Sequence, residues 1–129
     1  MIKQGKITPN GVVLHLHENA TVVFLTQQGF DVELLPPIQQ KGVRTPDIRM
    51  NGLEWEIKCP RSNGKYTLEH SFRSALKQSS NIIFDIRSSK ILQSKCIAEI
   101  ERRFHDFKKV SRVLIITKQL KLLDFKKKS

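Results

Sequence analysis

The sequence predicts a mixed α/β fold, in which helices flank one β-sheet in the order αβββαβαβ. Segments with apolar residues at helical spacing alternate with short segments in which apolar residues alternate or run together. Gly, Pro and Asn-Gly signals separate these segments. A chain of 129 residues is also long enough for one domain that buries roughly two-thirds of the surface its unfolded form exposes.

Periodicity and turn signals set the bounds of the predicted elements. We expect helices over residues 15–28, 67–80 and 89–107, and strands over residues 30–35, both sides of Asn51-Gly52, 81–86, 111–117 and 120–125. The first helix stops at Gly29, a residue type that ends helices. In the second helix, Leu68, Phe72 and Ala75 share one face, and Thr67 is the expected N-cap.

The predicted single domain covers residues 1–129, with its core at about 15–117 and a basic C-terminal tail at 126–129. The two cysteines form no CxxC or Cys/His spacing, which excludes a disulfide scaffold and a zinc finger and favours a reducing compartment. No run of about 18 apolar residues is present, and the first residues lack the apolar core of a signal peptide. We therefore expect no membrane partner.

Positive charge is concentrated in the second half of the chain. The formal net charge is +11 at pH 7. Residues 1–60 contain six Lys/Arg and six Asp/Glu, whereas residues 61–129 contain seventeen Lys/Arg and six Asp/Glu. An excess of this size on one half favours a polyanionic partner, either a nucleic acid or an anionic membrane, over a surface that is merely soluble. Because no membrane partner is expected, we expect the partner to be a nucleic acid.

The stretch TPDIRMNGLEWEIKCP, residues 45–60, predicts a β-hairpin. Asn-Gly is the dipeptide favoured in a two-residue type I′ turn, and such a turn at residues 51–52 would fix the register of the two strands. Ile48 would then face Trp55, and Met50 would face Leu53, on a wholly apolar side of the sheet. This clean separation of faces supports the register, because a slip by one residue would reverse every side chain.

The polar face of the predicted hairpin places two acids together. Asp47 would oppose Glu56, and Thr45 would oppose Lys58. Like charges at opposed positions destabilise a sheet. A divalent cation between the two carboxylates would remove that repulsion, and Mg²⁺ is commonly held by one or two carboxylates with waters and phosphate oxygens; Mn²⁺ or Zn²⁺ are alternatives. Lys58 could then orient a water or neutralise a phosphate, as in metal-assisted phosphodiester hydrolysis.

These residues resemble the PD-(D/E)xK nuclease superfamily, with Pro46-Asp47 as the PD and Glu56-Ile57-Lys58 as the ExK. The order of the predicted elements is similar to the core of that superfamily, so the resemblance implies a restriction-endonuclease-like fold. The tripeptide alone is expected about once by chance in a chain of this length. The specificity of the match therefore depends on the preceding Asp, the Asn-Gly turn and the order of the elements.

A closer resemblance covers about residues 15–117. The segments GFDVELLPP, PDI and WEIK, followed by a helix with Ser and Gln, are similar to C-terminal toxin domains of contact-dependent growth inhibition proteins. That resemblance implies a metal-dependent tRNA nuclease that acts in the cytoplasm of a target bacterial cell. It also implies a cognate immunity protein, which should be acidic because this chain is basic.

Glu18 is the third candidate acid of the predicted metal site. It lies in the first predicted helix on the same face as Val22 and Leu25, so its carboxylate should point toward the interior. The resemblance implies that Glu18 completes a site with Asp47 and Glu56. A boundary residue that pairs with a nearby base is the alternative.

The predicted nucleic-acid contacts lie on the second and third helices. They are Ser71, Arg73, Lys77, Gln78, Arg102 and Arg103. The resemblance implies that Ser71 or Gln78 approaches the catalytic residues. The four basic residues are expected to contact phosphates, which gives affinity and salt dependence without reading sequence. The alternative for each is an ordinary solvated helix face.

The expected function is metal-dependent hydrolysis of phosphodiester bonds in RNA, with tRNA as the preferred substrate and competition between bacteria as the setting. Asp47, Glu56 and Lys58 would carry the reaction, with Glu18 assisting. Two alternatives stay open. The chain could be a DNA endonuclease of the same superfamily, or a nucleic-acid-binding module without catalysis, in which the acids are structural.

Overall fold

The computed structural model describes residues 2–38 and 40–127. Within these residues, seven strands form one sheet in which each strand lies beside its neighbours in sequence. The elements are β1 (Ile7–Thr8), α1 (Leu16–Gln27), β2 (Val32–Leu34), β3 (Ile48–Met50), β4 (Leu53–Lys58), α2 (Thr67–Leu76), β5 (Asn81–Asp85), α3 (Gln93–Asp106), β6 (Arg112–Ile116) and β7 (Leu122–Lys126). The predicted mixed α/β class is confirmed.

The sheet combines parallel and antiparallel pairs. β4, β5 and β6 run parallel to each other, and β1 runs parallel to β2. β3 is antiparallel to both β2 and β4, and β7 is antiparallel to β6. The chain leaves both β4 and β5 at the same edge of the sheet, and each is followed by a loop and a helix. This edge, here called the carboxyl edge, is where parallel strands commonly present ligand sites.

Helices cover both faces of the sheet. Val22 and Leu25 of α1 pack with Trp55 and Ile57 of β4 in one apolar cluster. Apolar residues of α2 and α3 pack with the opposite face of β5 and β6 in a second cluster. Successive strand residues point to opposite faces, so Glu56, between Trp55 and Ile57, points toward the face that α2 covers.

The sheet extends beyond the predicted core of residues 15–117. β1 precedes α1 and was not predicted, and β7 follows β6 as the second of the closing strands. The predicted tail at 126–129 is wrong at its start, because Lys126 ends β7 and the backbone N–H of Lys127 donates to the carbonyl of Ser111 at 3.0 Å. Residues 128 and 129 of that predicted tail lie outside the described residues.

Three predictions about helix ends also differ from the structure. α2 ends at Leu76, short of residue 80, and beyond it the N–H groups of Lys77 and Gln78 donate to carbonyls only three residues back, at 3.3 and 2.9 Å. Thr67 is the first helical residue and not the N-cap; its hydroxyl lies 2.6 Å from that of Ser62. α3 begins at Gln93, four residues later than expected.

No helix in the described part of the chain combines the length and apolar character needed to cross a bilayer.

Candidate active site

The hairpin turn forms as the sequence predicts. Asn51 and Gly52 both have positive φ angles, 54° and 75°, as a type I′ turn requires at its two central positions. Ile48 pairs with Trp55 and Met50 pairs with Leu53. This confirms the predicted register next to the turn and its apolar face, in which Trp55 is 1% exposed.

Beyond Ile48 the predicted register is wrong. The backbone N–H of Asp47 donates to the carbonyl of Trp55 at 3.0 Å, and its own carbonyl accepts from Leu35 of the neighbouring chain segment. Pro46 has no N–H with which to continue the ladder. Asp47 therefore does not face Glu56 as a strand partner, and the Thr45–Lys58 pair does not form.

The side chain of Asp47 replaces the missing ladder contact. Its Oδ2 accepts the backbone N–H of Ile57 at 2.8 Å. This bond fixes the Asp47 carboxylate against β4, beside Glu56. The two acids therefore come together through the Asp47 side chain and not through the opposed positions that the sequence predicted.

Glu56 is the most deeply buried acid of the group, with 4% of the residue exposed. Its Oε2 accepts a hydrogen bond from Gln78 Nε2 at 2.8 Å and lies 3.6 Å from Lys58 Nζ. Its Oε1 is buried with no hydrogen-bond partner among the described residues. An unpartnered buried oxygen on a carboxyl group is costly and requires an explanation.

Burial and neighbouring acids alter the protonation of the cluster. Burial first, and then the Asp47 carboxylate, raise the pKa of Glu56 to about 8. The same two causes, in the same order, raise the pKa of Glu18, which is half-buried. Both shifts are in the direction expected for carboxyls that share a low-dielectric site. Without a cation, Glu56 therefore keeps a proton at neutral pH.

Lys58 is the base beside Glu56. It ends β4 two residues after Glu56, on the same face, and 23% of its side chain is exposed. Its Nζ donates to Ser74 Oγ of α2 at 3.1 Å. Ser74 and Gln78 lie one helical turn apart, on the same side of α2 and of the turn that follows it. From that side, Ser74 contacts Lys58 and Gln78 contacts Glu56.

The donor set fits a hard divalent cation in part. Asp47 lies close enough to both Glu18 and Glu56 to contribute to the raised pKa of each. However, across residues 2–38 and 40–127, no three His, Cys, Asp or Glu side chains are arranged as a ready metal site. Mg²⁺ often uses only one or two carboxylates with water and phosphate oxygens, and the unpartnered Glu56 Oε1 is an available oxygen ligand.

The predicted nucleic-acid residues on α2 fall into two groups. Gln78 contacts Glu56, as described, and Ser71 lies half-buried on the same helix. Arg73 and Lys77 are exposed. Arg73 donates to Glu69 Oε2 at 3.3 Å and lies over the ring of Phe107. Their contacts with nucleic acid stay predictions.

The two arginines predicted on α3 differ from each other. Arg102 is exposed. Arg103 donates to Glu99 Oε2 at 2.8 Å and lies 3.4 Å from Glu69 Oε1, with 16% of its side chain exposed. The charge of Arg103 is therefore already matched by two acids, whereas that of Arg102 is available to a partner.

A second polar network, beside the first, was not predicted. Asp85 is 5% exposed, accepts the Thr21 hydroxyl at 2.6 Å, and binds Arg87 through both carboxylate oxygens. Cys59 lies 3.6 Å from Thr21, and burial raises the pKa of its thiol to about 11, which makes it a poor nucleophile. In the sequence, the only indication of this network is the pair Asp85 and Arg87, an acid and a base two residues apart at the end of a predicted buried strand.

Comparisons with known proteins add a family. The family model described as "Contact-dependent growth inhibition CdiA C-terminal domain" matches residues 44–122, a segment that contains Asp47, Glu56 and Lys58 but not Glu18. No curated protein sequence matches the chain.

Among solved structures, the chain is similar to one described as "CdiA-CT/CdiI toxin and immunity complex from Burkholderia pseudomallei". The TM-score is 0.72 at 19% sequence identity, and the match covers 95% of this chain and 100% of the other. At this identity the likeness concerns the fold, and it includes nearly the whole of the seven-stranded architecture.

Proposed function

The chain belongs to the contact-dependent growth inhibition CdiA C-terminal domain family, and we propose that it is a toxin domain that hydrolyses phosphodiester bonds in RNA, with tRNA as its substrate. One observation carries the proposal: a buried glutamate, Glu56, with an unpartnered oxygen lies beside a second acid and a lysine. A buried group of this kind lowers stability, so its presence supports a role in a reaction or in binding a ligand. The arrangement has the residue types of the PD-(D/E)xK pattern.

Asp47 and Glu56 would hold a divalent cation, and Glu18 would assist from α1. When bound, such a cation neutralises phosphate charge and makes a water molecule a stronger nucleophile near neutral pH. The raised pKa values of Glu56 and Glu18 fit this role, because acids that repel each other alone are favoured as anions when a cation lies between them.

Lys58 provides the positive charge on the substrate side. Ser74 holds its ammonium group, and Glu56 lies 3.6 Å away, so the side chain is positioned before any substrate binds. From there it would neutralise the phosphate or orient the attacking water. Gln78 acts through Glu56: its amide N–H restrains one carboxylate oxygen and leaves the other to face the site.

A cognate immunity protein is the proposed partner. The solved structure with the same fold is described as a toxin and immunity complex. A net charge of +11 favours an acidic inhibitor, whose association would be accelerated at low ionic strength by electrostatic steering.

A cleavage assay tests the proposed reaction. The purified chain is incubated with tRNA or with plasmid DNA in the presence of Mg²⁺. A control reaction with each substrate contains EDTA in place of Mg²⁺. We expect cleavage of tRNA with Mg²⁺ and none with EDTA. Cleavage of plasmid DNA alone would establish a DNA endonuclease, and binding of both without cleavage of either would establish a binding module.

A further inference from the structure

A cavity of about 690 Å³ lies outside the acid cluster, none of whose residues lines it. It is lined by the loops that follow β4 and β5, by the first turn of α2, and by residues of α3 from Lys95 to Arg103. The backbone N–H of Lys90 donates to the carbonyl of Arg61 at 3.2 Å, which ties the two loops together. The cavity, here called the carboxyl-edge groove, therefore lies where parallel strands commonly place a ligand.

The groove is positively charged. Lys65, Lys90, Lys95 and Arg102 line it and are exposed. Its two acids, Glu69 and Glu99, are both paired with Arg103. In the described ranges no ion pair engages any of the four exposed cations. Four uncompensated cations along one cavity favour a polyanion with several charges in a row.

Tyr66, the single tyrosine of the chain, lines the same groove with 55% of its surface exposed. Its ring stacks near His70, with centroids 6.1 Å apart, and Lys65 Nζ lies 5.6 Å from the ring centroid. Leu92 also lines the groove and is 72% exposed. An exposed aromatic ring among lysines is the arrangement on which single-stranded nucleic acids stack their bases.

Two further cavities continue along the same edge of the sheet. A cavity of about 590 Å³ shares Lys90 with the groove and reaches Cys59, the residue after Lys58. A third, of about 210 Å³, shares Cys59 with the second and reaches His17, the residue before Glu18. A strand that followed these cavities would run from Tyr66 to Cys59 and His17, which are next in sequence to Lys58 and Glu18.

We propose that the carboxyl-edge groove binds an unpaired RNA strand, with one base stacked on Tyr66 and its phosphates on Lys65, Lys90, Lys95 and Arg102. The groove thereby selects RNA whose cleaved bond is next to unpaired nucleotides, because bases inside a duplex cannot reach a tyrosine face. This inference rests on the proposed function. It retains Arg102 from the sequence-based expectation and replaces the other predicted phosphate contacts, Arg73, Lys77 and Arg103, with Lys65, Lys90 and Lys95.

The test measures binding without cleavage. The Glu56→Gln variant in EDTA is titrated, by fluorescence anisotropy, into a fluorescein-labelled ten-nucleotide single-stranded RNA and into a blunt-ended RNA duplex of the same strand length. We expect tighter binding of the single strand. Adding Tyr66→Ala should weaken that binding about tenfold and duplex binding less than about twofold, whereas Tyr66→Phe should retain both, because the ring supplies the stacking.

Charge is tested in the same assay through its salt dependence. Lys65→Ala and Lys95→Ala together should make the slope of the logarithm of the association constant against the logarithm of the salt concentration shallower by about 1.4. Each phosphate contact with a single strand contributes about 0.7 to that slope. The matched control is Lys108→Ala with Lys109→Ala, which changes two exposed lysines that follow the C-terminal end of α3. This control should leave the slope unchanged.

Three outcomes would overturn the inference. One is single-strand affinity that is indifferent to Tyr66→Ala. The second is a slope reduced as much by the Lys108 and Lys109 control. The third is polyglutamate that competes as well as the oligonucleotide at equal charge, which would assign the groove to an acidic protein. If the parent variant binds neither RNA, the proposed function fails with it; if tRNA is cleaved but these variants have no effect, the inference fails alone.

Discussion

Both ends of the β3–β4 hairpin bring acids and a base together, but the group near the turn is exposed and the group around Glu56 is buried. Near the turn, Arg49 lies between two glutamates, 3.1 Å from Glu33 and 2.9 Å from Glu54, and all three side chains are between 39% and 47% exposed. Two residues along β4, Glu56 is buried, with a lysine at 3.6 Å and a second acid beside it.

The difference shows which carboxylates the fold can explain. At the exposed end, one arginine satisfies two acids in water, an arrangement that contributes little to stability and costs little. At the buried end, acids outnumber bases, one oxygen has no partner, and the pKa of Glu56 is raised to about 8. Burial of such a group opposes folding, so its presence points to a ligand or a reaction.

The largest expected effect separates Glu56 from Glu54. Glu56→Gln and Asp47→Asn should each lower tRNA cleavage by at least about a thousandfold, because a bound cation contributes several kcal/mol to transition-state stabilisation. Glu54→Gln, two residues away on the same strand, should change the rate less than about twofold. Initial rates under saturating Mg²⁺ measure all three, and a comparable loss in Glu54→Gln would show that the hairpin matters only as structure.

Lys58 should come next in magnitude. Lys58→Ala is expected to reduce kcat by roughly a hundredfold to ten-thousandfold, the range of a positioned group that handles a proton or charge. Mg²⁺ binding should be retained. Lys58→Arg should not restore turnover, because the guanidinium is wider and does not release its proton. Single-turnover rates with the arginine variant close to those of the unmodified chain would exclude a proton-handling role.

Gln78 should have a smaller effect, since it acts through Glu56. Gln78→Ala is expected to raise the Mg²⁺ concentration for half-maximal activity by about 10- to 100-fold, the usual effect of losing a partner of a metal-binding group. The control is Gln27→Ala, on the exposed side of α1. A fall in kcat at saturating Mg²⁺ with an unchanged half-maximal concentration would place Gln78 on the substrate instead.

The pH dependence of stability should also report on the buried end. The pKa of Glu56 is raised in the folded state to about 8 from a usual value of 4.5, so its protonated form favours the folded state. The metal-free chain should therefore lose stability as pH rises from about 4.5 through 8, by on the order of 1–3 kcal/mol. Urea unfolding at pH 6 and pH 9 measures this. Glu56→Gln should reduce the loss, and an equal loss in that variant would assign it to other groups.

The sequence was sufficient where local chemistry decides the structure. Asn51-Gly52 required a type I′ turn, and the alternation around it placed Ile48 and Trp55 together in the core. The inward face of α1 was likewise visible from apolar spacing, since Val22 and Leu25 are fully buried.

The sequence was insufficient where distant segments decide. The change of strand register at Asp47 depends on Pro46, which has no backbone N–H to donate. It also depends on Leu35, whose N–H donates to the Asp47 carbonyl. The two-residue strand β1 exists only because it pairs with β2, twenty-five residues later in the chain. Arg103 was predicted to contact phosphates from its helical position alone, but acids of two helices pair with it. Such contacts have no local signal.

Thermal unfolding of two proteins, with and without Mg²⁺, tests most directly whether the buried acids serve a cation. At pH 8.5, the metal-free Glu56→Gln variant should have a Tm equal to or above that of the unmodified chain, because the substitution removes a repelling charge. Saturating Mg²⁺ should raise the Tm of the unmodified chain and leave that of the variant unchanged. A Tm of the unmodified chain that is indifferent to Mg²⁺, together with a clearly less stable variant, would contradict the account and make Glu56 a structural residue.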